Sequence, residues 1–172
     1  TVAPDVPSAH VGLGAVLAVQ GAHDGAIHEF RRALELAPGF PDAHLDLALV
    51  LGRQGRYREA VEHLRQAVRH APRWADPANE LAWLLATCPE VSLRDAAEAL
   101  RSADRAAELT ARRDPNVLDT QAAAQAAAGR FDRAMETARQ ALALAGASGA
   151  GALADSIRFR LAMYERGIAY VQ

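Results

Sequence analysis

The stretch Leu36-Ala37-Pro38-Gly39-Phe40-Pro41-Asp42-Ala43-His44 decides the fold, because Val2-Ala3-Pro4-Asp5-Val6-Pro7-Ser8-Ala9-His10 carries the same pattern upstream. From Pro4 to Pro38 is 34 residues, and from Pro38 to Pro72 is 34 again. Between these prolines His10, Leu13, Gly14, Leu17, Gly21, Ala26, Phe30 and Ala33 are answered by His44, Leu47, Ala48, Leu51, Gly55, Ala60, Leu64 and Ala67. Apolar residues three and four apart mark one face of a helix. A fixed period of this length marks stacked supersecondary units. Each period reads as a helical hairpin. Gly21, Gly55 and Gly129 end the first helix, where a left-handed residue costs glycine little. Asp24 is expected to cap the second helix, and Pro38 and Pro72 to stop it, since proline cannot donate to the helical ladder. Ala26, Ala33, Ala60 and Ala67 mark where two helix backbones approach closely, so that a larger residue should clash.

A third unit stays in register through Ala78, Leu81, Ala82 and Leu85, then Cys88-Pro89-Glu90-Val91-Ser92 interrupts it. Its second helix, with small residues at Ala99, Ala103 and Ala106, arrives late, which reads as an insertion in the turn. A fourth unit runs through Leu118, Ala122, Gly129, Phe131, Ala134, Ala138 and Ala141. After Gly146-Ala147-Ser148-Gly149, one more amphipathic helix is expected from Ala152 to Arg166, with Leu153, Ile157, Leu161 and Tyr164 as its apolar stripe. Its polar residues Asp155, Arg158, Arg160 and Arg166 read as the outer face of a cap. One hairpin cannot bury its own apolar face, so an array needs stacking and a polar terminal cap.

These residues resemble the tetratricopeptide repeat signature, W-x2-L-G-x2-Y…A-x3-F…P at a period of 34. His10 and His44 stand at the tryptophan position, and Leu17 and Leu51 at the tyrosine position. The resemblance implies a right-handed all-α solenoid of about four helical hairpins plus a C-terminal capping helix. The expected hairpins are residues 7–40, 41–74, 75–114 with the turn insertion, and 115–148, and the expected cap is 150–167. Residues 1–6 resemble the tail of a truncated preceding repeat. From about Glu80 onward, Glu80-Leu81-Ala82-Trp83-Leu84-Leu85-Ala86-Thr87-Cys88-Pro89 and Ile157-Arg158-Phe159-Arg160-Leu161-Ala162-Met163-Tyr164 are similar to the C-terminal repeats of large bacterial multidomain proteins. That similarity implies a chain taken from a longer protein, with an unusually exposed first hairpin prone to end-to-end self-association.

The bulk composition excludes several classes. The formal net charge is −2, and all 19 basic residues are arginine. That balance gives no electrostatic reason to expect nucleic acid or an anionic membrane surface. No apolar run reaches the roughly 18–20 residues of a membrane span, so no direct membrane insertion is expected. A single cysteine, Cys88, excludes an internal disulfide framework. A soluble domain on the cytoplasmic or periplasmic side of a bacterial cell is expected, with the compartment unassigned.

Each candidate for chemistry also has a blander reading, and the blander one is favoured throughout. Six histidines invite a metal hypothesis, but a zinc site needs three or four convergent ligands. His10 and His44 instead occupy equal places on successive first helices and are expected to pack against the neighbouring second helix. Cys88, at a helix end, reads as a small buried hydrophobe. Arg56, Arg58, Arg65, Arg69 and Arg73 are interleaved with Glu59 and Glu62 and read as a solvated face. No strand precedes a glycine-rich phosphate loop. No catalytic residue, metal ligand or cofactor site is therefore expected, and the chain is not read as an enzyme.

Binding is the expected activity, on the concave surface lined by first helices. Val11, Ala15 and Val19 are followed by Asp42, Leu45, Asp46 and Leu49, then by Asp76, Asn79, Glu80 and Trp83, then by Asn116, Asp119, Thr120 and Ala123. The candidate partner-binding residues are Asp42, Leu45, Asp46, Leu49, Asp76, Asn79, Glu80, Trp83, Asn116 and Asp119. An apolar groove of acidic bias suits a basic or apolar protein or peptide, with Trp83 as its anchor. Asp46 and Glu80 stand where clamps for acidic C-terminal tails carry basic groups. The asparagine ladder of repeats attached to sugar-transferring enzymes is replaced by Gly12, Asp46, Glu80 and Thr120. Gln121 and Gln125 breach positions that are usually apolar, and buried amides require partners. The resemblance implies an interaction scaffold, or alternatively a non-catalytic segment of a larger enzyme or membrane protein that presents substrate or mediates assembly.

Overall fold

The computed structural model describes residues 6–172, and every regular element among them is helical. Residues 1–5, which carry the start of the upstream echo and all of the expected repeat tail except Val6, lie outside the described residues. The chain divides into two compact units, residues 1–72 and 73–172. In the first unit α1 (Pro7–Val19) pairs with α2 (His23–Leu36), and α3 (Pro41–Arg53) pairs with α4 (Tyr57–His70). In the second, α5 (Ala75–Thr87) pairs with α6 (Ala96–Leu109), α7 (Pro115–Ala127) with α8 (Phe131–Ala147), and α9 (Gly151–Tyr164) closes on α8. Helical hairpins stacked in this way make an α-solenoid, and α5, α7 and α9 fall on one side of the second unit, α7 touching both.

Local chemistry explains the boundaries. Pro7, Pro41 and Pro115 open α1, α3 and α7, where the missing N–H would have had no partner anyway. Gly21, Gly55 and Gly129 have φ of 77°, 75° and 73°. Each is followed by an N–H that reaches back to a carbonyl of the last helical turn, Arg56 to Leu51 at 2.9 Å for example, which completes the left-handed helix stop. The α6–α7 turn makes the same bond from Arg112 to Ala107 at 2.8 Å without a glycine, leaving Ala111 and Arg112 at φ 51° and 55°. Asp24 does not cap α2. The helix begins one residue earlier, Ala22 precedes it without a side-chain cap, and the Asp24 carboxylate accepts from Gln54 Nε2 at 3.1 Å. Side-chain caps appear instead at Asp95, which accepts from the Glu98 N–H, and at Asp114, which accepts from Asn116 and Val117. The segment between α5 and α6 holds a single 3-10 turn, Val91–Leu93. It is pinned by Asp95 N–H to the Leu85 carbonyl at 3.2 Å and Arg94 Nε to the Cys88 carbonyl at 2.6 Å.

The seam inside each hairpin shows how volume is shared. Ala26, Ala60, Ala99 and Ala134 recur at one buried level, and Ala33, Ala67, Ala106 and Ala141 at another. Between those levels stand Phe30, Leu64, Ala103 and Ala138, all buried. Opposite Phe30 sits Gly14, where an added Cβ would fall 2.6 Å from the ring; one repeat later Ala48 accompanies the smaller Leu64. Gln121 is buried and satisfied, donating to Asp104 at 2.6 Å and accepting from Arg112 at 3.3 Å. Gln125 keeps an unpartnered Oε1. On α1, Leu13 and Val16 are 50% and 53% exposed, whereas Leu47 and Val50, their counterparts one period later, are 0% and 2% exposed.

Candidate functional site

In the second unit, α5, α7 and α9 enclose an open cleft of about 320 Å3 lined by Asn79, Glu80, Trp83, Asn116, Asp119, Thr120, Leu153, Ser156 and Arg160. Its floor is an ion pair. Arg160 Nε donates to Asp119 Oδ1 at 3.0 Å, and Nη2 donates to Oδ2 of the same carboxylate. Only 8% of Arg160 and 4% of Asp119 is exposed, so neither charge is offered to solvent. The guanidinium lies 5.2 Å from the Trp83 ring centroid and 5.5 Å from that of Tyr170, within cation–π range. Burial raises the Asp119 carboxyl above its ordinary value against the pull of Arg160. Burial, with the nearby Asp119 charge, likewise raises the Tyr164 phenol, whose hydroxyl has no partner.

Past α9 the chain turns at Gly167 (φ 67°) into a non-helical segment that returns to α5. There the Tyr170 ring stands 5.8 Å from Trp83 and edge-on to Phe159, and the Gln172 N–H donates to the Thr87 carbonyl at 2.9 Å. Trp83 is thereby half-buried beneath Arg160 and Tyr170. At the α5 wall, the Glu80 carboxyl is raised first by burial and then by Asp76, against a hydrogen bond donated by Asn79. The buried Oδ1 of Asn79 has no hydrogen-bond partner.

Five of the ten candidate residues, Asn79, Glu80, Trp83, Asn116 and Asp119, meet at this cleft. Asp46 and Leu49 line a smaller hollow of about 180 Å3 in the first unit, with Ala15, Ala18, Val19, Phe30, Val50 and Arg53. Burial and the neighbouring Asp42 raise the Asp46 carboxyl. Leu45 is core, 7% exposed. Asp42 and Asp76 are exposed and line neither hollow, and Asp76 accepts from Trp74 Nε1 at 3.1 Å. Sequence reasoning does not reach Leu153, Ser156 and Arg160 as site residues, because the polar residues of α9 read as the outer face of a cap. Arg160 instead points inward between Ile157 and Tyr164, which are 0% and 1% exposed. The signal was present: a cation spaced three and four residues from two core positions lies on the core stripe.

The histidines form pairs inside the first unit. His10 Nδ1 meets Glu29 Oε2 at 2.6 Å, and one period later His44 Nδ1 meets His63 Nδ1 at 2.9 Å. His44 Nε2 also lies 2.9 Å from the Pro38 carbonyl, which can only accept. Nε2 therefore carries the His44 proton, and His63 donates to His44. Burial lowers both pKa values, and neighbouring histidine charge lowers them further. Among the described residues no group of three or more His, Cys, Asp or Glu side chains could hold a metal ion, and no helix is long and apolar enough to cross a membrane. Cys88 is buried, which raises its thiol pKa.

Residues 17–84 match the Tetratricopeptide repeat family. No curated protein matches the chain. Among solved structures, MamA is similar over 85% of this chain and 82% of its own, with TM-score 0.71 and 16% identity. TTC0263, a thermophilic protein of the same repeat type from Thermus thermophilus, is similar over 92% and 98%, with TM-score 0.64 and 21% identity. YrrB, described as a protein of this repeat type with an unusual peptide-binding site, is similar over 90% and 82%, with TM-score 0.66 and 20% identity. At these identities the likeness is one of fold.

Proposed function

We propose that the chain is a protein-interaction scaffold of the tetratricopeptide repeat type, whose family model residues 17–84 match, and that its α5–α7–α9 cleft takes up an extended segment of a partner protein. The observation that carries this reading is the lining itself. Asn79, Glu80, Asn116, Thr120 and Ser156 place amide, carboxylate and hydroxyl groups around an open cleft, and a peptide backbone offers matching donors and acceptors at every residue. A floor held by Arg160 and Asp119 keeps those groups in place, and a pre-formed site loses less free energy to ordering when it binds. The peptide-binding site of YrrB, on the same fold, is in keeping with it. Selection of displayed random peptides tests the reading, with Ser156→Trp as the blocked form. Ser156 is exposed on α9, so the indole fills the cleft without entering the core. Peptides that enrich on the parent and not on the variant are expected. Failure to enrich any peptide, or equal enrichment on both, removes the cleft from consideration.

The apolar face left uncovered on α1 favours a second contact, end-to-end association of copies. Sedimentation of the parent should then rise with concentration and that of Leu13→Glu/Val16→Glu should not. A parent that stays monomeric excludes it.

A further inference from the structure

Resting on the cleft reading above, we propose that the α5 wall is a subsite for a basic side chain, an arginine or lysine of the bound segment, held by the Glu80 carboxylate. The charges lining the cleft are Glu80, Asp119 and Arg160. Asp119 and Arg160 cancel each other through two hydrogen bonds, so Glu80 sets the sign. An ammonium or guanidinium carries only donors and suits an ionised carboxylate. An acidic or phosphorylated side chain would meet Glu80, with Asp76 close enough to act on it, as a like charge. The Trp83 face is already taken by Arg160 and Tyr170, so the cation is held by hydrogen bonds and charge rather than by the indole.

The test uses N-acetylated, C-amidated pentapeptides Ala-Ala-Xaa-Ala-Ala with Xaa arginine, lysine, citrulline or glutamate. Each is titrated into the whole chain and into Glu80→Gln, and followed through the Asn79 side-chain amide and the α5 backbone amides by heteronuclear magnetic resonance. Arginine and lysine peptides should give saturable shifts there, about tenfold tighter than the neutral citrulline peptide, as expected of a charge-assisted pair that is partly shielded from solvent. Glu80→Gln should erase that difference. The binding of the arginine peptide should also strengthen as pH rises through the elevated Glu80 pKa, since only the ionised carboxyl attracts a cation. If citrulline and arginine peptides bind the cleft equally, or if Glu80→Gln leaves the preference intact, the basic subsite is wrong while the cleft reading stands. If none of the four shifts the α5 resonances, the subsite is again wrong, and the Ser156→Trp selection judges the cleft separately.

Discussion

Removing either half of the Asp119–Arg160 pair should destabilise the second unit, at a cost that acidification relieves for one half and not for the other. Both groups are buried, so deleting a partner strands an ion, a change that costs about 3–5 kcal/mol where no relief exists. In Asp119→Ala the stranded group is a guanidinium that cannot lose its proton. Its relief is to swing toward Ser156 at the cleft, which places the expected cost near the low end, about 3 kcal/mol. In Arg160→Ala the stranded group is a carboxyl whose pKa burial already raises, and it escapes by taking up a proton. A folded-state pKa above the unfolded one means that the native state binds more protons, so stability rises as pH falls through that folded value. The cost of Arg160→Ala should therefore shrink on acidification, while that of Asp119→Ala relative to the parent should not. The double variant Asp119→Leu/Arg160→Leu strands nothing, and it should cost less than the sum of Asp119→Leu and Arg160→Leu, with a coupling of about 2 kcal/mol or more. Urea unfolding followed by tryptophan fluorescence is the assay. Both tryptophans, Trp74 and Trp83, lie in the second unit, so the signal reports that unit alone. A coupling below about 0.5 kcal/mol, the scatter of independent sites, or an Arg160→Ala cost that grows as pH falls would refute the reasoning.

Two further outcomes follow from the first unit. Gly14→Ala drives a methyl into the buried Phe30 ring, an overlap of about 1–3 kcal/mol set against a helix-propensity gain of roughly 1 kcal/mol, so it should lower the melting temperature. Gly12→Ala, with nothing within 4 Å of the new carbon, should raise it, and melting shifts of the same sign for both would contradict the packing described. Because His44 and His63 both have lowered pKa values in the folded state, the unfolded chain binds more protons below the ordinary histidine value of about 6.5. Stability of the first unit should therefore fall as pH drops below that value. His63→Glu, which copies the His10–Glu29 arrangement, should lessen or reverse that fall, and equal pH slopes for parent and variant in thermal melts would disprove the pairing.

Most of the fold was legible because few devices encode it. A proline just past the end of a second helix, a left-handed glycine between helices and an alanine at each close crossing are local requirements, visible without knowledge of the neighbours. The insertion after α5 was equally plain, since a shifted register is a property of one sequence against itself. Asp24 misled because aspartate in the first turn and aspartate at the cap look alike in sequence, and two residues of register separate it from the true cap position, Ala22. The candidate site was half legible. Placing Asn79, Glu80, Trp83, Asn116 and Asp119 on one surface needed only the repeat register. That Asp119 is neutralised needed Arg160, 41 residues away, and a charge is read as exposed until its partner is known. The returning segment that lays Tyr170 beside Trp83 follows no periodicity and was therefore invisible.

The glycine–phenylalanine and alanine–leucine pairings at the same level of two successive hairpins restrict how such repeats diverge. Starting from Gly14 with Phe30, a lineage reaches alanine with leucine in two steps, and the order is not neutral. Changing the glycine first forces the intermediate through an overlap inside a closed seam. Changing the aromatic first leaves a void, which a helix pair can partly close by settling inward. Repeats built on this seam are therefore expected to lose their ring before they gain their methyl, and hairpins transplanted between positions should carry both residues together.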